Sequence, residues 1–250
     1  HPMTNPSRPV QVASVQTLQR RDLPETDMVL VDEAHRAHRI IFEWMAKKPD
    51  LLFCGLSATP WTKGLGKYYD DLIIASTTQE LIDTGYLSDF RVFAPSKPDL
   101  TGVRTTAGDY NEADLSEVMD EPGLTADIVS SWIKLGENRP TLCFAVDRKH
   151  AKSIKKDFTD AGVPVAYVDA FTSDFEREDI RKSFAAGHTK VVVNVGVLTT
   201  GVDWDVRCII LARPTKSNAL YTQIIGRGLR TADGKSDCVI LDHSDTTQRL

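Results

Sequence analysis

The feature that most constrains this fold is a series of short, continuously apolar runs spaced by amphipathic segments. In the first part of the chain these are VQVAS (10–14), MVLVDE (28–33) and LLFCGLSA (51–58), with a helical pattern, HRIIFEWMAKK, between the last two. A second series follows: FRVFA, TLCFAV, VPVAYVDA, KVVVNVGV, RCIILAR and DCVILDH. Runs without polar alternation are strands buried on both faces, as in parallel sheets covered by helices. The intervening DRKHAKSIKKDFTDAG and TSDFEREDIRKSFAAG each close on a glycine suited to a helix C-terminus. The pattern predicts an α/β protein with two parallel sheets in tandem. SKPDLTGVRTTAGDYNEAD (96–114) is read as a long connecting loop. The domain boundary is placed just before it, giving units 1–88 and 89–250.

A chain of 250 residues can bury a substantial core, and 41% hydrophobic with 26% charged residues is ordinary for a globular protein. The net charge of −5 does not advertise a nucleic-acid binder, but a local basic cleft can bind phosphate on an acidic protein. No apolar run is long enough to cross a bilayer, and no membrane partner is expected. Cys54, Cys143, Cys208 and Cys238 all lie inside apolar runs, so reduced core thiols in a cytoplasmic protein are expected.

Four stretches carry chemistry. In MVLVDEAH, an apolar strand runs into Asp32 and Glu33, where ligands of parallel sheets bind. An Asp there can hold Mg²⁺ while a neighbouring Glu deprotonates water, although an acidic strand end can equally cap the next helix. LLFCGLSATPW ends a strand in Ser57-Ala58-Thr59, whose hydroxyls can bond catalytic side chains or form an ordinary turn. VVVNVGVLTTGVDWD breaks into Thr199, Gly201 and Asp203, a composition that permits close approach to phosphate or sugar, and also a plain loop. In YTQIIGRGLR, Gln223, Arg227 and Arg230 share one face of a helix, placing two guanidiniums to clamp a phosphoryl group. Gly226 and Gly228 weaken that helix by about 1 kcal/mol each relative to Ala, which argues against an ordinary surface helix.

Taken in order, DEAH, SAT, TLCFAVDRKHA, VLTTGVDWD and QIIGRGLR, with VASVQTL upstream, resemble the superfamily 2 helicases, particularly the motor subunits of restriction enzymes and related bacterial and phage proteins. The resemblance implies two RecA-like domains, the first incomplete, and a motor that uses ATP and Mg²⁺ on nucleic acid, DNA rather than RNA. It implies that Asp32 holds the metal and Glu33 is the general base. His35, Ser57 and Thr59 would couple nucleotide and nucleic-acid sites. Gly201 and Asp203 would face the nucleotide, Gln223 the domain interface, and Arg227 and Arg230 would be arginine fingers. Thr17, Thr172 and Thr199 would touch the strand.

The family's phosphate loop, G-x-x-x-x-G-K-[ST], does not occur in these 250 residues. GLRTADGKS has five residues between its glycines and precedes a strand, so a turn at Asp233-Gly234 is expected instead. TKGLGKYY has Trp61 in place of the first glycine. The reading is therefore of a truncated motor, with little ATP hydrolysis by itself and an exposed sheet edge that promotes self-association. The alternative is a non-catalytic nucleic-acid-binding or interaction module that retains the fold. A third is another two-domain α/β enzyme, such as a sugar-nucleotide transferase. Trp61, Lys63 and Lys67 are taken as a surface loop, and His150, His188 and His243 as ordinary helix or loop residues.

Overall fold

The structure, a computed structural model, describes residues 8–61, 64–199 and 203–250. It comprises two compact units that divide between Ile74 and Ala75. The division falls before the expected boundary at Ser88, for a local reason. Helix α3 (Thr78–Asp83) and the chain after it belong with the second unit. There Leu87 forms a β-bridge with Arg230, and the backbone N–H and hydroxyl of Ser88 both donate to the Leu229 carbonyl at 2.7 and 3.1 Å.

In the first unit, helix α1 (Val15–Leu18) precedes strand β1 (Met28–Val31), helix α2 (Arg39–Lys47) and strand β2 (Leu52–Gly55). The VQVAS run is not a strand: Ser14 caps α1 by accepting from the Thr17 N–H, which turns the chain into a helix. Strands β1 and β2 pair in parallel, with Val31 opposite Gly55. Val31, Ala34 and Ile41 form the core between strand and helix, and Trp44 packs edge-on against Phe53. Only one face of this pair is covered. Leu30 and Leu52 are 60% and 61% exposed, and Cys54 is exposed too, contrary to the expectation of strands buried on both sides and of four core thiols.

The second unit holds strands β3 (Asp89–Phe93), β4 (Thr105–Thr106) and β5 (Asp109–Tyr110), then helices α4 (Glu112–Met119) and α5 (Pro122–Leu135). Next come β6 (Thr141–Phe144), α6 (Arg148–Asp160), β7 (Val165–Val168), α7 (Asp174–Ala185) and β8 (Val191–Asn194). It ends with β9 (Cys208–Leu211), α8 (Asn218–Leu229), β10 (Asp237–Asp242) and α9 (Thr246–Arg249). Six strands form one parallel sheet in the order β3-β10-β9-β6-β8-β7.

Alternate residues of each strand feed two cores. Cys143, Val193, Ile210 and Leu241 meet Ile128 and Trp132 of α5 and Ile154 and Phe158 of α6 on one face. Leu142, Val192, Ile209 and Ile240 meet Phe184 of α7 and Ile224, Ile225 and Leu229 of α8 on the other. This is the buried sheet that continuous apolar runs require. Helices α6 and α7 end as expected, with Gly162 and Gly187 both at φ 74° just past the C-caps. The segment 96–114 is more ordered than a loop, since it contains the antiparallel pair β4–β5 and the start of α4. Asp109 explains why: its carboxylate accepts from the Thr215 hydroxyl (2.8 Å) and the Lys216 N–H (2.7 Å), fastening the hairpin beside the end of β9. Gly234, at φ 67°, makes the expected turn before β10.

Candidate functional site

Two groups of candidate residues are brought together, one in each unit. In the first, β1 ends at Val31 and is followed by Asp32, whose carboxylate accepts from the Glu33 N–H at 2.9 Å. Glu33 is left-handed, at φ 51° and ψ 45°, a conformation costing a non-glycine residue about 1 kcal/mol or more. Glu33 is the N-cap of a short 3₁₀ turn, Ala34–Arg36. That turn brings His35 back to both neighbours: its Nδ1 lies 3.2 Å from a Glu33 carboxylate oxygen and 3.0 Å from the Ser57 hydroxyl. Ser57 Oγ also accepts from the Thr59 N–H at 3.0 Å.

Glu33, His35, Ser57 and Thr59 are therefore joined by one chain of contacts across two strand ends. Backbone bonds set its spacing, Leu56 N–H to the Val31 carbonyl (2.8 Å) and Ala34 N–H to the Leu56 carbonyl (3.0 Å). Gly55 is needed beneath it, because a Cβ there would come within 2.9 Å of the Ala34 methyl and 2.8 Å of the Tyr69 ring. The Thr59 hydroxyl is buried with no hydrogen-bond partner among the described residues.

Asp32 is exposed, and a lone exposed carboxylate fits Mg²⁺, which keeps several waters and takes one or two protein carboxylates. Among the described residues no cluster of three or more His, Cys, Asp or Glu side chains could cage a metal. Any metal at Asp32 would thus depend on its substrate for further ligands. Thr17 lies elsewhere in this unit, its hydroxyl 3.0 Å from that of Ser14 in the α1 cap.

In the second unit, the candidate residues form two pairs, Thr199 with Arg227 and Asp203 with Arg230. Arg227 Nε donates to the Thr199 carbonyl at 3.0 Å, and Arg230 pairs with the Asp203 carboxylate at 2.7 Å. Gln223 is half-buried on α8, one turn before Arg227. Gly201 lies outside the described residues, as does Lys63. One sequence expectation is corrected here. Arg230 does not share a helical face with Arg227, because α8 ends at Leu229 and Arg230 is extended (φ −61°, ψ 138°).

The helix stops where its terminal carbonyls find other donors. Ser88 takes that of Leu229, and the Lys235 ammonium takes those of Gly228 and Arg230. Burial lowers the pKa of Lys235. The glycines also acquire a different meaning. A Cβ on Gly228 would sit 2.5 Å from Cys238 Sγ and 2.9 Å from Ile209, so the residue lets α8 lie close on the sheet; Gly226 faces open space. Thr172 locks its own loop, its hydroxyl accepting from the Asp169 N–H at 2.9 Å. Hydrogen bonds from Tyr167, Phe171 and Thr172 and the nearby Arg148 hold Asp169 at a pKa of about 2, against the opposing effect of its burial.

Sequence reasoning missed four residues that shape this region: Ser88, Asn194, Arg213 and Lys235. Asn194 had a legible signal, as the one polar residue inside VVVNVGV. It is buried at the end of β8, donates to the Cys143 carbonyl of β6 (2.9 Å) and accepts from the Leu198 N–H (3.4 Å). It thereby sets the path of the loop leading to Thr199.

A parallel sheet of this order, with helices on both faces, defines the RecA-like class of α/β domain. The family profile of the helicase conserved C-terminal domain matches residues 125–232. The putative ATP-dependent helicase IRC3 of Saccharomyces cerevisiae is 34% identical over 252 residues, covering 93% of this chain and 37% of that protein. Among solved structures, an ATP-dependent Type ISP restriction-modification enzyme, LlaBIII, bound to DNA, superposes with a TM-score of 0.64 at 15% identity, over 90% of this chain and 18% of its own. Saccharomyces cerevisiae Dbp5 bound to RNA and ADP BeF3 gives 0.51 at 17% identity, over 93% and 58%. Residues 125–232 thus match the helicase conserved C-terminal domain, and the chain is similar to ATP-dependent helicases over nearly its whole length. It spans between 37% and 49% of the length of the curated relatives it matches.

Proposed function

We propose that this chain is the catalytic and strand-tracking portion of an ATP-dependent translocase acting on nucleic acid, DNA rather than RNA. The observation that carries the reading is the chain of contacts from Glu33 through His35 and Ser57 to Thr59 at two adjacent strand ends. A carboxylate held by a strained backbone and linked to hydroxyls on the next strand suits a base whose state is relayed to a second ligand. Asp32 would hold Mg²⁺, which when bound neutralises charge on the triphosphate. Glu33 accepts the proton of the attacking water, and His35 with Ser57 fixes its carboxylate. Arg227 and Arg230 supply positive charge to the transferring phosphoryl group, Arg230 after releasing Asp203. Asp203, Gly201 and Gln223 are assigned to nucleotide binding. Thr17, Thr172 and Thr199 meet the strand backbone. The preference for DNA rests on the likeness to a restriction enzyme solved on DNA; a neighbour solved on RNA makes it a matter for experiment. A cytoplasmic setting completes the reading, supported by four unpaired thiols.

The test is ATP turnover stimulated by single-stranded DNA, measured on the longest polypeptide the gene encodes. Glu33→Gln should lower kcat by at least about 100-fold, the scale of a lost general base, with ATP still bound. Wild-type turnover in that variant would reject the assignment. The 250 residues alone, lacking a phosphate loop, should turn over ATP at background; robust turnover by them, lost in Glu33→Gln, would overturn this expectation. Equal stimulation by RNA of matched sequence would remove the DNA preference.

A further inference from the structure

In the six-stranded sheet the chain leaves β6 toward β8 and β7 on one side, and β9 and β10 occupy the other. Such a reversal opens a crevice beyond the carboxyl ends of the strands, the common ligand position in sheets of this kind. Here it is a cleft of about 190 Å³ lined by Phe144 and Ala145 after β6, Gly196 and Thr199 after β8, Arg213 after β9, and Leu220 and Ile224 of α8. The volume decides what fits. It lies below the roughly 300–1,000 Å³ of pockets that enclose a whole small ligand, so it suits one small group.

Arg213 gives the cleft its chemistry. Its Nε is buried and has no hydrogen-bond partner among the described residues. A buried guanidinium donor left without an acceptor costs on the order of 1–3 kcal/mol, more for a charged group, so an acceptor brought into the cleft would be favoured at this atom. Its position is rigid. The Ala212 N–H donates to the Phe144 carbonyl at 3.1 Å, Pro214 follows, and the Thr215 hydroxyl is tied to Asp109 at 2.8 Å. The far wall is equally fixed, since Arg227 Nε holds the Thr199 carbonyl. A planar cationic fork beside a threonine, over an apolar floor, matches a tetrahedral oxyanion that carries its own acceptors.

We propose that Arg213 binds a phosphate group in this cleft, belonging either to the nucleic-acid backbone or to the nucleotide. The inference rests on the strand-and-nucleotide reading above and adds a contact residue to it. Arg213 then fixes the register of one phosphate against the sheet, where contacts position the ligand without reading its bases.

The experiment is NMR on the 15N-labelled chain, following the Arg213 Nε–H signal, assigned by its loss in Arg213→Lys. A saturable shift with a twelve-nucleotide oligo(dT) assigns the backbone source, and a shift with ATP alone assigns the nucleotide source. In parallel, fluorescence anisotropy with labelled oligo(dT) should show Arg213→Gln weakened about tenfold, with the slope of log K against log salt reduced by about 0.7, one contact's worth. Arg213→Lys should keep most of that slope. If oligo(dT), ATP and inorganic phosphate all leave the signal unmoved, or if Arg213→Gln binds with the wild-type affinity and slope, the inference is wrong. A shift with inorganic phosphate in a chain that binds no strand would preserve the phosphate site and overturn the strand reading instead.

Discussion

Glu33 and the two buried histidines illustrate how single residues are set by their surroundings. Glu33 was legible as an acidic partner of Asp32, but its left-handed backbone was not, because strain of this kind arises only when the flanking strand and turn over-determine a residue. His150 and His243 are ordinary in the sequence, and structurally they are core residues. Burial lowers both to a pKa of about 4, against the opposing pull of Asp120 and Asp147 on His150 and of Asp242 and Asp127 on His243. The sign follows from linkage. Above pH 6.5 both are neutral in the folded and unfolded chain. Between 6.5 and 4 the unfolded chain takes up protons that the folded one refuses, so stability falls as pH falls. The loss reaches up to about 3 kcal/mol per histidine by pH 4. Thermal denaturation from pH 7 to 4 should show this slope, and His243→Asn should flatten part of it. An unchanged slope in that variant would contradict the assignment.

At the scale of elements, α8 shows what pattern reading captures and where it stops. Period and apolar spacing identified the helix and the face bearing Ile224, Ile225 and Leu229. They also extended it through Arg230, because the signal that ends it lies far away in sequence, in Ser88 and Lys235. Gly226 and Gly228 looked alike in the sequence but differ in space, and substitution should separate them. Gly228→Ala drives a methyl into Cys238 and Ile209 and should cost about 1–3 kcal/mol, with a lower Tm. Gly226→Ala meets nothing and should gain up to about 1 kcal/mol of helix propensity. Equal Tm changes for the two would refute this packing account.

Across the whole molecule, the two units differ in how completely they bury their strands. The second encloses six strands between two layers of helices. The first leaves Met28, Leu30 and Leu52 open on one face of a two-stranded pair. Apolar strands with a free edge and face invite pairing with another copy. The 250-residue chain should therefore self-associate with rising concentration in sedimentation velocity. Leu30→Lys should reduce that association, and a wild-type monomer throughout a tenfold concentration series would count against it.

The sequence by itself determined the α/β class, the order along the chain of the strands that pair in parallel, the helix stops at Gly162 and Gly187, and the residue types at each strand tip. These follow from short-range rules: hydrophobic period, backbone freedom and capping. The same rules misread VQVAS as a strand and 96–114 as a loop. Only tertiary structure decided the spatial order β3-β10-β9-β6-β8-β7, the end of α8, the pairing of Arg230 with Asp203, and the burial of Arg213 Nε in its cleft. Each of these joins residues distant in sequence, and a local pattern carries no information about which distant donor will reach a given acceptor.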